Sequence, residues 1–199
     1  MSKRQEQKER TRESIIEAAL VLYGRNGIIA TTTAEIAKES QVSHGLIFAH
    51  FPTKECLIDE VISKFGATVM MRLHELIDSQ CGLKEVLQTH LQVIGEFEDL
   101  YIRLITEVPL LDSKVNYTLI GMQSTLSFHI TQVAEREMVE GKLKKIPLHL
   151  FFNTWIGLIH YYLINKELFA PKEKVITRYA SELINHFMNL ISLVGGEGK

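Results

Sequence analysis

The sequence is poor in residues that interrupt helices or cross-link chains. It has 4 prolines and 12 glycines among 199 residues, which leaves room for long uninterrupted helices. Its two cysteines, Cys56 and Cys81, cannot form a disulfide framework and favour a reducing cytosol. No apolar run reaches the ~20 residues that a bilayer requires. Residues 1–12 are dense in charge and lack the apolar segment of a secretory signal, so we expect a cytoplasmic protein with no membrane partner.

The chain also lacks the excess of positive charge that is typical of many nucleic-acid-binding proteins. Its formal net charge is −2. Residues 1–55 carry eight Lys or Arg against seven Asp or Glu, whereas the remainder carries fourteen against seventeen. A DNA-binding hypothesis must therefore depend on where the charges lie. The hydrophobic fraction of 46% nevertheless excludes global disorder.

The motifs of common helical enzymes are absent as well. No Glu is followed by His three residues later, as a di-iron bundle requires. The sequence has no His-Glu-x-x-His stretch and no glycine-rich phosphate loop after a strand. His149 and His160 lie too far apart on a helix to chelate an ion by themselves. We therefore expect no enzymatic activity, no metal and no cofactor, and we keep an all-α enzyme as the least favoured alternative.

Apolar residues recur at helical spacing over nearly the whole chain. Near the N-terminus, each helix is bounded by a local signal. Asn26-Gly27 ends the first helix, Thr32 and Glu35 have the spacing of a capping box, and Ser43 is placed to cap a third helix. That helix stops before Pro52, and Thr53 caps a fourth helix that is predicted to reach about residue 79.

The segment from Thr32 to Lys54 fits a helix-turn-helix. In that motif the first helix crosses the DNA backbone and the second enters the major groove. Residues 40–54 contain no carboxylate that would repel phosphate, and Gly45 has no side chain to hold a backbone away. The alternative is three small helices that are packed together for structure alone.

Residues 27–37 and 42–57 resemble the DNA-binding domain of the TetR family of transcriptional regulators, and the likeness extends over about residues 10–58. The remainder is similar only in length and helical layout. The resemblance implies an all-α fold with a three-helix DNA-binding domain at 1–55 and a larger helical domain for effector binding and dimerisation at 56–199. It implies contacts to a double-stranded DNA operator by Thr32, Thr33, Ser43, His44, Gly45, Leu46, Phe48, His50 and Lys54.

Two residues depart from the family pattern. Phe48 stands where the family usually has Tyr, so a phenolic hydroxyl that commonly contacts phosphate is missing; one such hydrogen bond is worth ~0.5–1.5 kcal/mol. Gln41 stands where Gly is common in the turn. If its φ is positive, Gln41 carries strain on the order of 1 kcal/mol.

A group of basic side chains precedes the first apolar face of the chain. Two interpretations stay open for them: contact with phosphates or a minor groove, or a solvated helix start that is partly balanced by Glu6 and Glu9. The group consists of Lys3, Arg4, Lys8, Arg10 and Arg12.

The segment 148–163 is apolar almost all round, which is typical of a helix that is buried on every side. In a chain of this size, that pattern favours a second subunit, with a monomer as the alternative. The resemblance implies that the last two helices of two copies form a four-helix bundle, which would set the recognition helices ~34–36 Å apart. The predicted interface residues are Phe151, Phe152, Trp155, Ile159, Tyr179, Leu183, Phe187 and Leu190.

The family usually binds a small effector in its helical core, and binding changes the spacing of the recognition helices. We expect a largely apolar effector, although each candidate residue is also compatible with ordinary core packing. The candidates are His90, Phe97, Tyr101, Tyr117, Met122, Phe128, Trp155 and Tyr162. The prediction is a homodimeric repressor that the effector releases from a pseudo-palindromic operator. The alternative is a helical ligand-binding or adaptor protein that has lost specific DNA binding.

Overall fold

The computed structural model describes residues 2–76, 81–111 and 113–193. These residues form helices that are joined by short turns, and within them the one β-type pairing is an isolated antiparallel bridge between Leu143 and Ser192. The all-α prediction is confirmed. The helices are α1 (Lys3–Asn26), α2 (Thr33–Glu39), α3 (His44–His50), α4 (Lys54–Leu76), α5 (Leu83–Glu96), α6 (Glu98–Glu107), α7 (Ser113–Val139), α8 (Leu148–Ile164), α9 (Lys166–Phe169) and α10 (Val175–Ile191), with a 3₁₀ turn at Val108–Leu110.

The N-terminal helices begin at the predicted caps. Thr32 Oγ1 accepts a hydrogen bond from the Glu35 backbone N–H at 3.2 Å, and the Glu35 carboxylate accepts one from the Thr32 N–H at 2.8 Å. Ser43 Oγ accepts from the N–H of Leu46 at 3.3 Å. Thr53 Oγ1 accepts from the N–H of the third residue after it at 3.2 Å. These bonds satisfy N–H groups that have no partner inside their own helix.

The structure differs from the prediction at the start of the last helix, and it does not test the predicted end of the fourth helix. Proline is common at the first position of a helix, so Pro171 predicts that the last helix begins near it, but α10 begins at Val175. Its first free N–H groups, those of Val175 and Ile176, each donate to the buried carboxylate of Glu98 at 2.9 Å. A residue 77 positions away therefore caps α10, and no local signal reports it. The predicted end of the fourth helix near residue 79 lies outside the described residues.

The chain divides into two compact units, which are Met1–Thr68 with Asp99–Ile120, and Val69–Glu98 with Gly121–Lys199. In the first unit, α2 packs against α1 and α3. The predicted division into 1–55 and 56–199 follows expected function rather than compactness, and it is kept as a proposal. The core of the first unit contains Ile15, Ile16, Ala19, Tyr23, Ile28, Ile36, Ile47, Leu57, Val61, Ile62 and Leu104.

In the second unit, α10 packs against α5 and α8. Residues at helical spacing along α5 form a buried face, which includes His90. Trp155 and Phe151 of α8 both contact Phe187 of α10, with ring centroids 5.1 and 5.2 Å apart. Apolar residues at helical spacing along α7 are buried. Val115 and Leu119 belong to the first unit, whereas Met122, Leu126, Ile130 and Val133 belong to the second. None of the described helices is both long and apolar enough to cross a bilayer.

Candidate nucleic-acid interface

The helices α2 and α3 each bury one side and expose the other. Ile36 of α2 and Ile47 of α3 have no solvent exposure, so each helix is anchored through its inner face. The backbone turns between the two helices at Gln41, which has a φ of 56°. The two short helices and the tight turn are the elements that a helix-turn-helix requires.

The outer side of this pair carries most of the residues predicted to contact DNA. Thr33, His50 and Lys54 are half-buried. The exposed ones are Thr32, Ser43, His44, Gly45, Leu46 and Phe48. The structure therefore brings the nine predicted residues onto α2, α3 and the adjoining helix ends; their contacts with DNA remain a prediction.

A hydrogen bond joins the two helices on their exposed side. Thr33 Oγ1 and His44 Nε2 lie 2.9 Å apart, and which atom donates depends on the tautomer of the imidazole. The ring of His44 also meets the ring of Phe48 in a T-shaped contact, with centroids 5.2 Å apart. These two contacts hold the His44 ring in one place at the start of α3. No sequence signal indicated the Thr33–His44 pair, because the two residues are 11 positions apart.

The hydrogen bonds at the N-terminal cap of α2 also change the pKa of Glu35. The hydrogen bond from the Thr32 backbone, followed by that from the Thr32 hydroxyl, lowers the pKa of Glu35. The carboxylate is therefore ionised at neutral pH, and its negative charge interacts favourably with the positive end of the helix dipole. Since the Thr32 hydroxyl is engaged by Glu35 at 2.8 Å, its function here is to cap the helix.

His50 lies at the end of α3 beside the beginning of α1. Burial lowers the pKa of His50, and the positive charges of Lys8 and Arg12 lower it further. Its Nδ1 atom is buried and has no hydrogen-bond partner among the described residues. The guanidinium of Arg12 lies 5.1 Å from the centre of the Phe51 ring. Two of the five basic residues flagged near the N-terminus thus lie beside the candidate interface, and all five lie within α1.

Lys54 supports the loop that precedes α2. Its Nζ donates to the backbone oxygen of Ile29 at 2.7 Å, and the N–H of Ile29 donates to a carboxylate oxygen of Glu107 at 2.8 Å. Both backbone hydrogen-bonding groups of Ile29 are therefore fixed by side chains. Sequence reasoning missed Glu107, because nothing near it in the chain indicates a partner 78 positions away.

Gly45 has open space where a side chain would project. A Cβ built on it has no atom within 4 Å, so the protein's own packing does not require glycine at this position. The observation agrees with the prediction that Gly45 leaves room for a close approach from outside.

The residues predicted to line an effector pocket do not form one group. His90 and Trp155 lie together in the second unit, where the Trp155 Nε1–H donates to His90 Nδ1 at 3.0 Å. Burial, with a smaller contribution from His160, lowers the pKa of His90 to about 3. Tyr162 stacks on Phe169, with ring centroids 4.3 Å apart.

The other predicted pocket residues are dispersed. Met122 is buried and Phe97 is half-buried in the second unit. Phe128 is 56% exposed and Tyr117 is 71% exposed. Tyr101 is buried and belongs with Tyr117 to the first unit. The assignment of these residues to a pocket stays a prediction.

Six of the eight residues predicted for the dimer interface are buried within their own unit. Tyr179 is half-buried and Leu190 is exposed. The six buried residues are Phe151, Phe152, Trp155, Ile159, Leu183 and Phe187. A different set of α8 residues is exposed on one face at helical spacing: Leu150, Gly157, Tyr161 and Ile164.

Within residues 2–76, 81–111 and 113–193, no group of three or more His, Cys, Asp or Glu side chains is placed to hold an ion.

Comparison with known proteins places the similarity in the N-terminal region. Residues 15–61 match the model described as bacterial regulatory proteins, tetR family. An HTH-type transcriptional repressor of Mycobacterium tuberculosis strain H37Rv is 37% identical over 67 residues, which are 34% of this chain and 36% of the repressor. The chain thus spans about a third of the length of the curated relatives it matches.

Solved structures share the fold over nearly the whole chain. A TetR-family transcriptional regulator from Agrobacterium tumefaciens has a TM-score of 0.78 at 18% identity, covering 94% of this chain and all of the other. The transcriptional regulator FadR from Bacillus subtilis, in complex with stearoyl-CoA, has a TM-score of 0.71 at 17% identity, covering 88% of this chain and 97% of that one. At these identities, the likeness shows the fold alone.

Proposed function

We propose that this chain, whose residues 15–61 match the model of the tetR family of bacterial regulatory proteins, is a cytoplasmic transcriptional regulator that binds a pseudo-palindromic operator as a homodimer. The observation that carries the proposal is the exposed outer face of α2 and α3, on which six of nine predicted contact residues lie. The absence of carboxylates from residue 40 to residue 54 allows α3 to approach phosphates. No catalytic role is proposed for any residue.

The first experiment selects duplexes from genomic fragments with the purified protein and sequences those that are retained. An enriched inverted repeat is expected. Its half-sites should be spaced by one helical turn, ~10 base pairs, or a multiple of it, since a two-fold dimer places its recognition helices that far apart. Random recovery at moderate salt would contradict the proposal and favour the adaptor alternative.

Gly45 provides a test that separates DNA contact from folding. Replacing Gly45 by Ala in α3 adds a methyl group to open space and favours the helix by roughly 0.5–1 kcal/mol. The Gly45→Ala protein should therefore keep or gain stability and lose operator affinity. Gly121→Ala in α7, where a Cβ also has no atom within 4 Å, is the matched control and should leave affinity unchanged. Equal operator affinity of both variants would contradict a close approach at α3.

His44 and Lys54 should contribute differently to operator binding, one to sequence preference and the other to affinity for any sequence. His44→Ala should change base preference if the ring contacts a base edge, whereas Lys54→Ala should weaken binding to all sequences and flatten the salt dependence. A uniform loss for His44→Ala would assign that residue to the DNA backbone.

The homodimer is proposed to use the exposed face of α8. Tyr161 is 58% exposed and Ile164 is 50% exposed, and exposed apolar residues that share one face are typical of a protein contact. Tyr161→Lys with Ile164→Glu should yield monomers in sedimentation velocity. Tyr117→Lys, at a tyrosine on α7 that is 71% exposed, is the control. A dimer that persists in the double variant would contradict this interface.

A small apolar effector is proposed to act on the second unit. One support is that FadR, which shares the fold, forms a complex with stearoyl-CoA. The other is that the aromatic or sulfur-containing candidates Met122, Trp155 and Tyr162 lie in this unit. An effector shifts an equilibrium only through its different affinity for two states. A compound that stabilises the protein in a thermal-shift screen should weaken the binding of the operator. By reciprocity, the operator should weaken the binding of that compound by the same factor.

A further inference from the structure

The exposed side of α3 is mainly apolar. Leu46 is 37% exposed and Phe48 is 43% exposed, and Ala49 is exposed beside them. Exposed aromatic and aliphatic side chains next to one another on a short helix cost solvation free energy unless a partner covers them. The feature therefore calls for a partner of matching chemistry.

Ser43 and His44, the polar residues at the beginning of α3, have hydrogen bonds within the protein. Ser43 Oγ accepts from the Leu46 N–H, and His44 Nε2 is bonded to Thr33 Oγ1. The segment from residue 43 to residue 50 contains no Arg, Lys, Asn, Gln, Asp or Glu. These are the residue types that form the bidentate or accepting hydrogen bonds by which guanine, adenine and cytosine are recognised in the major groove.

Among the four bases, one has an apolar group in the major groove. That group is the C5 methyl of thymine, and apolar side chains contact it. The T-shaped contact with His44, at 5.2 Å between centroids, restrains the Phe48 ring before any partner binds. Restraint in advance lowers the entropic cost of such a contact.

Resting on the proposed function, we propose that Phe48 and Leu46 determine specificity by contacting thymine methyl groups in the operator half-site. The missing hydroxyl of Phe48 then has a positive consequence, because a ring without a polar tip can be buried against a methyl group at no cost of desolvating an oxygen. Burying one methyl group corresponds to about a fourfold change in affinity.

The experiment uses the operator obtained by selection. Each thymine of one half-site is replaced in turn by deoxyuridine, which removes the methyl group and leaves base pairing and the groove's hydrogen-bonding atoms unchanged. At one or two positions, the wild-type protein should bind the uracil duplex about fourfold more weakly. The variant with Leu46→Ala and Phe48→Ala should bind the thymine and uracil duplexes equally at those positions.

The outcomes separate this inference from the proposed function. Equal affinity of the wild-type protein for thymine and uracil at every position would overturn the methyl contact and leave the regulator intact. A methyl preference that survives in the double variant would also overturn it, because another residue would then contact the methyl. Failure to select any operator would overturn both. Both replaced side chains are exposed, and circular dichroism melting checks that the double variant is folded.

Discussion

The carboxylate of Glu107 accepts a hydrogen bond from the backbone N–H of Ile29 at 2.8 Å, joining the end of α6 to the loop before α2. The same carboxylate lies where a side chain at Gly27 would project, since a Cβ there would be 2.7 Å from Oε1. Gly27 has a φ of 97° and a ψ of 153°, a combination that residues with a side chain rarely adopt. The glycine and the carboxylate together define the loop that leads into α2.

Removing this carboxylate should loosen the loop. Glu107→Ala leaves the Ile29 N–H without its charged acceptor, a bond of a type worth ~1.5–3 kcal/mol when protected from water. Because Ile29 is 45% exposed, water replaces part of it, and we expect a loss of about 1 kcal/mol in urea unfolding. Hydrogen exchange at the Ile29 amide should accelerate. Glu135→Ala, at an exposed position of α7, is the control, and equal exchange in both variants would contradict the role of Glu107.

The turn between α2 and α3 should gain stability from glycine. Gln41 has a φ of 56°, and the left-handed region costs a residue with a side chain roughly 1–2 kcal/mol. Glycine adopts it freely but loses more chain entropy on folding. Gln41→Gly should therefore raise the free energy of unfolding by about 0.5–1 kcal/mol, measured by urea titration, with unchanged operator preference. A lower stability would show that the Gln41 side chain contributes contacts that outweigh the strain.

The pair of His90 and Trp155 predicts a dependence of stability on pH. Burial lowers the pKa of His90 from 6.5 to about 3 in the folded protein. Between these values the unfolded chain binds a proton that the native chain does not, so stability is present above pH 6.5 and is lost as pH falls towards 3. The slope contributed is at most ~1.4 kcal/mol per pH unit.

His90→Gln tests this dependence, because glutamine does not titrate and its amide oxygen can still accept from the Trp155 indole. The variant should show a smaller loss of stability than the wild type between pH 6.5 and pH 4. A slope remains in the variant, since burial also lowers the pKa of His50 and His160. Slopes are compared rather than absolute stabilities, so a change in packing does not obscure the result. Identical slopes would refute the assignment.

Tyr23 offers a test of buried polarity. Its side chain has no exposure, and its hydroxyl has no hydrogen-bond partner among the described residues. Burial raises the pKa of the Tyr23 hydroxyl. An unpaired buried hydroxyl costs ~1–3 kcal/mol, so Tyr23→Phe should raise the thermal midpoint. Leu22→Ala in the same helix is the opposite control and should lower it. A fall in the midpoint for Tyr23→Phe would reveal a partner for the hydroxyl.

Most of the candidate interface was predictable, because its signals are local. Thr32, Ser43 and Thr53 cap helices that begin within three residues of them, and Pro52 excludes a continuation of α3. The sequence predicts strain at Gln41 on the condition that its φ is positive, and the structure meets that condition. The candidate pocket was less predictable, because apolar spacing indicates that a residue faces inward without indicating its neighbour. Tyr117 and Phe128 are aromatic residues of the kind that lines an apolar pocket, but both are exposed.

Neighbours along the chain decided where the N-terminal helices begin and end, because a cap or a proline acts on N–H groups within one turn. Folding alone decided which apolar faces are covered and which polar groups are paired. Glu107 with Ile29, Glu98 with Val175 and His90 with Trp155 are 78, 77 and 65 positions apart. Such pairs form only when whole helices pack together. The free energy that drives this packing comes from apolar side chains buried along the full length of each helix, so no short stretch of residues determines it.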